Sequence, residues 1–200
     1  MRFGVLGPLT VHDGASALVI GQPKAKVLLA SLLLQHDQVV ASDDLKAALW
    51  GERPPATASS SLHNHLSRLR RALGEVAAGR LRAVPPGYVL EVGEGELDMD
   101  LHQAALDKAR AAHRHQDWES VRRECAKALK LWRGRPLADV PALAEVMPYA
   151  RRIQSLDESW LLAMELRCEA ELRLGRHQGL AAELALLAAE HPLREASTGS

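Results

Sequence analysis

The chain has 200 residues, 47 % hydrophobic and 25 % charged, and its 25 basic and 25 acidic side chains cancel. That length suits one large or two small domains, each burying a core of its own; the composition argues against general disorder, and no run of about 18 apolar residues suggests a membrane span. The zero net charge hides an asymmetry, since residues 1–93 hold ten Lys/Arg against seven Asp/Glu (net +3) and residues 94–200 hold fifteen against eighteen (net −3), which points to a polyanion-binding module with a second role attached.

The opening Met-Arg-Phe-Gly-Val-Leu-Gly has too short an apolar stretch for a secretory leader. Short apolar runs in residues 2–12, broken by Gly7-Pro8 and Asp13-Gly14, and a further run at Ala17–Ile20 predict a small antiparallel sheet. From Pro23 the period changes, and Val27, Leu28, Leu32 and Leu34 predict a helix to about His36. Val39-Val40 reads as a brief extended piece. Ser42 is the expected cap of a second helix, whose apolar face is Leu45, Ala48, Leu49 and Trp50 and whose end is marked by Gly51 and Pro54-Pro55.

A third helix is predicted from about Ala56 to Leu73, with Thr57 as its cap and Gly74 as its stop. Leu62, Leu66, Leu69 and Leu73 recur at steps of four, three and four, so one stripe faces the core. Leu81–Val84, Pro85-Pro86-Gly87 and Tyr88–Val92 read as a hairpin, with Tyr88 in its core, as Trp50 is in its own helix's. Sheet, three helices and hairpin in that order make a winged helix-turn-helix, in which the third helix enters the major groove and the hairpin lies along the adjacent backbone.

The chemistry of the third helix fits that role. Opposite the leucines stand Ser60, Asn64, Ser67, Arg68 and Arg71, flanked by His63 and Arg70. Asn can bond adenine bidentately and Arg guanine, whereas Ser suits phosphate or either base. No acidic residue occurs between Pro54 and Gly74, and an acid-free face suits close approach to phosphates. Arg80 and Arg82 are the candidate wing contacts to phosphate.

Residues 93–100, Gly-Glu-Gly-Glu-Leu-Asp-Met-Asp, form an acidic, glycine-containing stretch read as the linker between a DNA-binding domain (1–92) and a helical domain (101–200). The latter reads as helix throughout except for a Gly134–Pro141 loop. Two of its stretches resemble each other at an offset of 59 residues: Asp117-Trp118 followed by Val121, Cys125, Ala128 and Leu129, and Arg176-His177 followed by Leu180, Leu184, Leu187 and Ala188. A tetratricopeptide-like array is the preferred reading, with a non-repetitive bundle the alternative. Cys125 and Cys168 fall within these helices with no short spacing, so reduced thiols and a cytoplasmic location, associated with the nucleoid, are expected.

Several segments resemble the SARP family, the antibiotic regulatory proteins of actinomycetes. They are Gly-Pro-Leu-Thr-Val (7–11), Gly-Gln-Pro-Lys-Ala-Lys-Val-Leu-Leu-Ala (21–30), Leu-Lys-Ala-Ala-Leu-Trp-Gly (45–51), Leu-Ser-Arg-Leu-Arg-Arg-Ala-Leu-Gly (66–74) and Pro-Pro-Gly-Tyr-Val-Leu (85–90). Residues 129–139 and 174–195 are similar to the family's second domain. The resemblance implies an α+β, OmpR-type winged helix followed by an all-α, tetratricopeptide-like bacterial transcriptional activation domain that helps to recruit RNA polymerase. It also implies binding of direct repeats as head-to-tail pairs, activation of antibiotic biosynthetic genes, and DNA contacts at Asn64, Arg68 and Arg70. The chain departs from the pattern at His102, where the family usually has an aromatic. Relatives also add a helix pair beyond residue 195, so the helical domain is expected to be incomplete at its C-terminus.

No catalytic function, metal, cofactor or membrane partner is expected. Residues two apart on a helix point about 200° away from each other, so neither His63-Xaa-His65 nor His113-Xaa-His115 shares one ion easily. Gly-rich phosphate loops, Gly-Xaa-Ser-Xaa-Gly and His-Glu-Xaa-Xaa-His are absent, Ser59-Ser60-Ser61 has no placed base, and no phosphoacceptor aspartate pattern is visible. The competing reading is a protein-interaction module whose winged helix touches no DNA.

Overall fold

The computed structural model describes residues 1–176, apart from the side chains of residues 75–77. Three short strands open the chain: β1 (Arg2–Gly4), β2 (Thr10–Asp13) and β3 (Ser16–Ala17), antiparallel in the order β1-β2-β3. Helix α1 (Pro23–Leu34) begins with proline at its first turn, where a missing N–H costs nothing. Strand β4 (Val40–Ala41) leads into α2 (Ser42–Trp50), and α3 (Ala58–Ala78) follows the Pro54-Pro55 turn. Strands β5 (Leu81–Val84) and β6 (Gly87–Leu90) form the hairpin, and β4 completes a second sheet in the order β4-β6-β5. Gly87 is required there, because a Cβ would lie 1.8 Å from the Val40 carbonyl oxygen across the β4–β6 pair.

The C-terminal half is helical. Helices α4 (Asp98–Arg114) and α5 (Trp118–Lys130) pack as a pair, a short 3-10 turn spans Pro141–Glu145, and α6 (Tyr149–Arg173) packs on α5. Asp117 caps α5 by accepting from Ser120 N–H at 3.2 Å. Of the two similar stretches, the first is thus α5; the second, beyond Arg176, lies outside the described residues. Arg176 itself pairs with Glu119 on α5 at 2.7 Å.

One local expectation is corrected. Ser42 is not the cap of α2: its hydroxyl and its N–H both donate to the Pro86 carbonyl, at 3.1 and 3.2 Å, because β4–β6 pairing brings the hairpin turn alongside. Gly74 does stop the third helix, with φ +76° and ψ 171°, but a second helical segment that was not expected follows it to Ala78.

The second correction concerns the whole molecule. Residues 93–100 are not a free linker, since α4 starts at Asp98 and the joint is tied down on both sides. Buried Asp98 accepts from Val5 N–H (2.8 Å) and Leu6 N–H (3.1 Å), and pairs with Arg133 at 2.9 Å. Arg133 also donates to Pro8 O, and Leu137 N–H to Gly7 O at 2.7 Å. Asp139 takes Leu9 N–H and Lys26 Nζ, each at 2.7 Å. A side chain at Gly4 or Gly7 would collide with Arg133, so this clamp depends on both glycines. One apolar cluster runs through Phe3, α1, α2, α3 and on to Leu97, Leu143, Tyr149 and Leu156. The halves therefore share this core, and the helical half buries a second, smaller cluster of its own around Ala109, Val121, Cys125 and Ala170. Helix α1, buried on nearly all sides, lies between α2 and α3 on one flank and the helical half on the other.

Candidate nucleic-acid interface

The local sequence starts α3 with the Pro54-Pro55 turn, which Ala58 N–H closes onto Pro55 O at 2.9 Å. Four turns of regular helix then separate its two faces. Leu62, Leu66, Leu69 and Leu73 are each at most 2 % exposed. Ser60, His63, Asn64, Ser67, Arg68 and Arg71 are all exposed. Among the described residues Asn64, Arg68 and Arg71 have no hydrogen-bond or ion-pair partner. Ser60 differs, because its hydroxyl donates to Thr57 O at 3.0 Å within the first turn. His63 lies edge-on to Tyr88 of the hairpin, with ring centroids 6.2 Å apart. The arrangement is a helix with a fully seated apolar stripe and a row of unengaged donors facing solvent.

The remaining arginines are used differently from the expectation. Arg70 is half-buried, and its Nε and one terminal nitrogen donate to the Leu81 carbonyl at 3.0 and 2.9 Å. That fork braces α3 against the hairpin, so Arg70 is engaged in the free chain where Arg68 is not, and only its other terminal nitrogen is left without a hydrogen bond among the described residues. Arg80 pairs with Glu96, which also binds the N-terminal ammonium of Met1 at 2.8 Å and Gly93 N–H at 2.8 Å. Burial opposes the Glu96 charge, yet these donors outweigh it and hold the carboxyl at about 2. Arg80 is thus part of the joint, not a free wing contact. Arg82 is exposed and pairs across the hairpin with exposed Glu91. Such a surface pair contributes little and can exchange its carboxylate for another anion.

One cation beside the face, Lys24, was not singled out in the sequence. Lys24 lies over the Trp50 ring, 4.8 Å from its centroid, and Trp50 in turn packs against His65 at 6.4 Å. Burial lowers the His65 pKa, and the nearby charges of Lys24 and Arg68 lower it further. Lys24 therefore adds a cation from α1 beside the His65 flank of α3. Nothing in the local sequence links it to α3, since only the packing of α1 brings it there.

Among the described residues no cluster of His, Cys, Asp and Glu could hold a metal ion, and no helix is long and apolar enough to cross a membrane. His113 bonds Glu169 at 2.9 Å and packs edge-on to Trp118. His102, at the position where the resemblance leads to an aromatic, is buried against Trp132 at 5.3 Å, so an imidazole ring fills the aromatic slot. Neither cysteine is in a disulfide, and burial pushes the Cys125 thiol up to about 11.

Residues 17–90 match the family described as "Transcriptional regulatory protein, C terminal", and residues 97–200 match "Bacterial transcriptional activator domain". Among curated relatives, the regulatory protein AfsR of Streptomyces griseus is 37 % identical over 98 % of this chain and 19 % of its own length. The transcriptional regulatory protein EmbR of Mycobacterium tuberculosis is 35 % identical over 98 % of this chain and 50 % of its own. For the regulatory protein DnrI of Streptomyces peucetius the values are 34 %, 98 % and 74 %. The chain thus spans half or less of the AfsR and EmbR relatives that it matches. A solved structure titled "Mycobacterium tuberculosis EmbR in complex with low affinity phosphopeptide" superposes with a TM-score of 0.84 at 34 % identity, covering 96 % of this chain and 51 % of that one. With a winged helix whose polar α3 face is exposed, a helical half matched over its full span and relatives named as regulators, the chain belongs to the SARP family of transcriptional regulators.

Proposed function

We propose that this chain is a sequence-specific DNA-binding transcriptional regulator that reads duplex DNA with α3 in the major groove. The observation that carries this reading is the seated leucine stripe, which leaves Asn64, Arg68 and Arg71 exposed and, among the described residues, without partners on an acid-free face. In this reading Asn64 bonds adenine and Arg68 bonds guanine. Ser60, His63, Ser67 and Arg71 contact flanking bases or phosphate, and Arg82 exchanges Glu91 for a phosphate. Arg70 and Arg80 support the site as braces. The family supports the rest of the proposal: activation of antibiotic biosynthetic genes, binding of direct repeats as head-to-tail pairs, contact of the helical half with RNA polymerase, and work at the nucleoid in the cytoplasm. No substrate, metal or cofactor enters it.

Duplex-binding titrations at increasing salt test the proposal. Affinity should fall steeply between low and physiological salt as condensed counterions are released. Arg68→Ala should cost about 1–3 kcal/mol on the specific site and relax preference at one base pair. Arg82→Ala should weaken all duplexes alike. An Arg68→Ala protein with unchanged affinity for its operator, located by footprinting the neighbouring promoter, would remove α3 as the reading element. Salt-insensitive behaviour with no duplex preference would favour an interaction module instead.

A further inference from the structure

The end of α1 and the start of α6 line an open cleft of about 410 Å³. That volume lies within the roughly 300–1,000 Å³ usual for small-molecule sites. Leu34 and Tyr149, both buried, supply apolar wall. Arg151 and Arg152 line it from α6, and among the described residues neither has an ion-pair partner. Gln35 lines it from α1, and its side-chain Nε2 is buried without any hydrogen-bond partner. A buried amide N–H left unbonded costs about 1–3 kcal/mol unless an acceptor is supplied. His36 closes the same side, its Nδ1 on Leu33 O at 3.0 Å and its Nε2 on Asp100 at 3.1 Å, with Asp37 at 3.8 Å. The bond to Asp100 raises its pKa against the effect of burial, so the ring carries a proton more readily than a free imidazole. Of the nearby acids, Asp100 and Asp37 pair with His36 and Asp44 lies within electrostatic reach of Tyr149, while among the described residues the two guanidiniums have no ion-pair partner.

We propose that this cleft is an effector site for a small organic oxyanion, a carboxylate or phosphate monoester on a compact apolar body. The oxyanion takes hydrogen bonds from Arg151, Arg152 and the Gln35 amide, and the apolar body lies against Leu34 and Tyr149. Guanidinium groups suit this role because their donors form a planar fork matched to carboxylate and phosphate. Position gives the site a means of action. Helix α1 touches α6 on one side and α3 on the other, so an occupant joining α1 to α6 acts on the helix that seats the reading face.

The test uses the full chain, with phenyl phosphate, benzoate and inorganic phosphate as probes in calorimetric and thermal-shift titrations. An aryl anion should bind saturably and raise Tm, with inorganic phosphate weaker because it lacks the apolar body. Arg151→Ala/Arg152→Ala should weaken that binding by about tenfold or more and leave duplex affinity without probe unchanged. Gln35→Leu should weaken it too, while Arg68→Ala/Arg71→Ala should leave it intact. The proposal fails if neither aryl anion binds saturably up to about 10 mM, a limit of only a few kcal/mol. It fails equally if binding survives the cleft variants, or if it is lost with Arg68 and Arg71, which would put the anion on the DNA-reading face.

Discussion

Arg68 and Arg70 stand two positions apart on α3, and one is free where the other is tied to Leu81 O by two bonds. The helical period separates the leucines from Asn64 and Arg68 without help, because those positions lie on opposite faces. It cannot place a flanking residue such as Arg70, whose partner is a carbonyl eleven positions along the chain. Arg70→Ala should therefore destabilise the fold by about 1–3 kcal/mol in urea unfolding, as expected for a hydrogen bond from a charged group. Its residual binding should be weaker on every duplex with base preference unchanged; a changed preference would put Arg70 in the groove.

Glu96 gives a pH prediction at the same scale. Its carboxyl is held at about 2 in the folded chain against an ordinary 4.5. A depressed acid contributes stability that is present above the unfolded pKa and is lost as pH falls through the folded one. Glu96→Gln should thus lower stability at neutral pH and flatten the fall in Tm between about pH 5 and pH 2. An acid limb as steep as in the parent would show that the ammonium and Arg80 do not depend on this carboxylate. The sequence showed an acidic glycine-bearing stretch here, but not that the chain's own N-terminus returns to it.

At the scale of elements, the hairpin's Pro85-Pro86-Gly87 was legible as a turn, and the reason for its glycine was not. Gly87 is needed because Val40 O lies where a Cβ would go, a contact between strands 47 residues apart. Gly87→Ala should part β4 from β6 and cost about 2–4 kcal/mol. The measurement is chemical unfolding, and a cost below about 0.5 kcal/mol, the level of a neutral surface change, would show that the strands can separate freely. The expected Ser42 cap went astray for the same reason, since the β4–β6 pair offers its hydroxyl the Pro86 carbonyl instead. Local rules place the strands and helices, and pairing between distant strands decides which local hydrogen bonds survive.

For the whole molecule, the shared core sets the terms. Leu97, Leu143, Tyr149 and Leu156 belong to the cluster that buries α1, and each large apolar side chain fully buried contributes roughly 1.5–3 kcal/mol. Their sum rivals the ~5–15 kcal/mol net stability of an ordinary domain. A fragment of residues 1–96 should therefore unfold at much lower urea than the full chain, and bind DNA weakly for lack of a stable fold. Equal midpoints would show that the winged half stands alone. Because truncation confounds folding with activation, contact of the helical half with polymerase is better probed by exposed point variants than by deletion.

By itself the sequence determined the order of elements, the winged-helix class and which face of α3 is buried and which is exposed. These follow from short-range periodicity and turn chemistry, which act within a few residues. Only the tertiary structure decided that Arg70 and Arg80 are engaged as braces, that residues 93–100 are a clamped joint, and that Lys24 reaches the flank of α3. Each of those outcomes depends on a partner brought close by folding, and a period along one helix carries no information about what packs across from it.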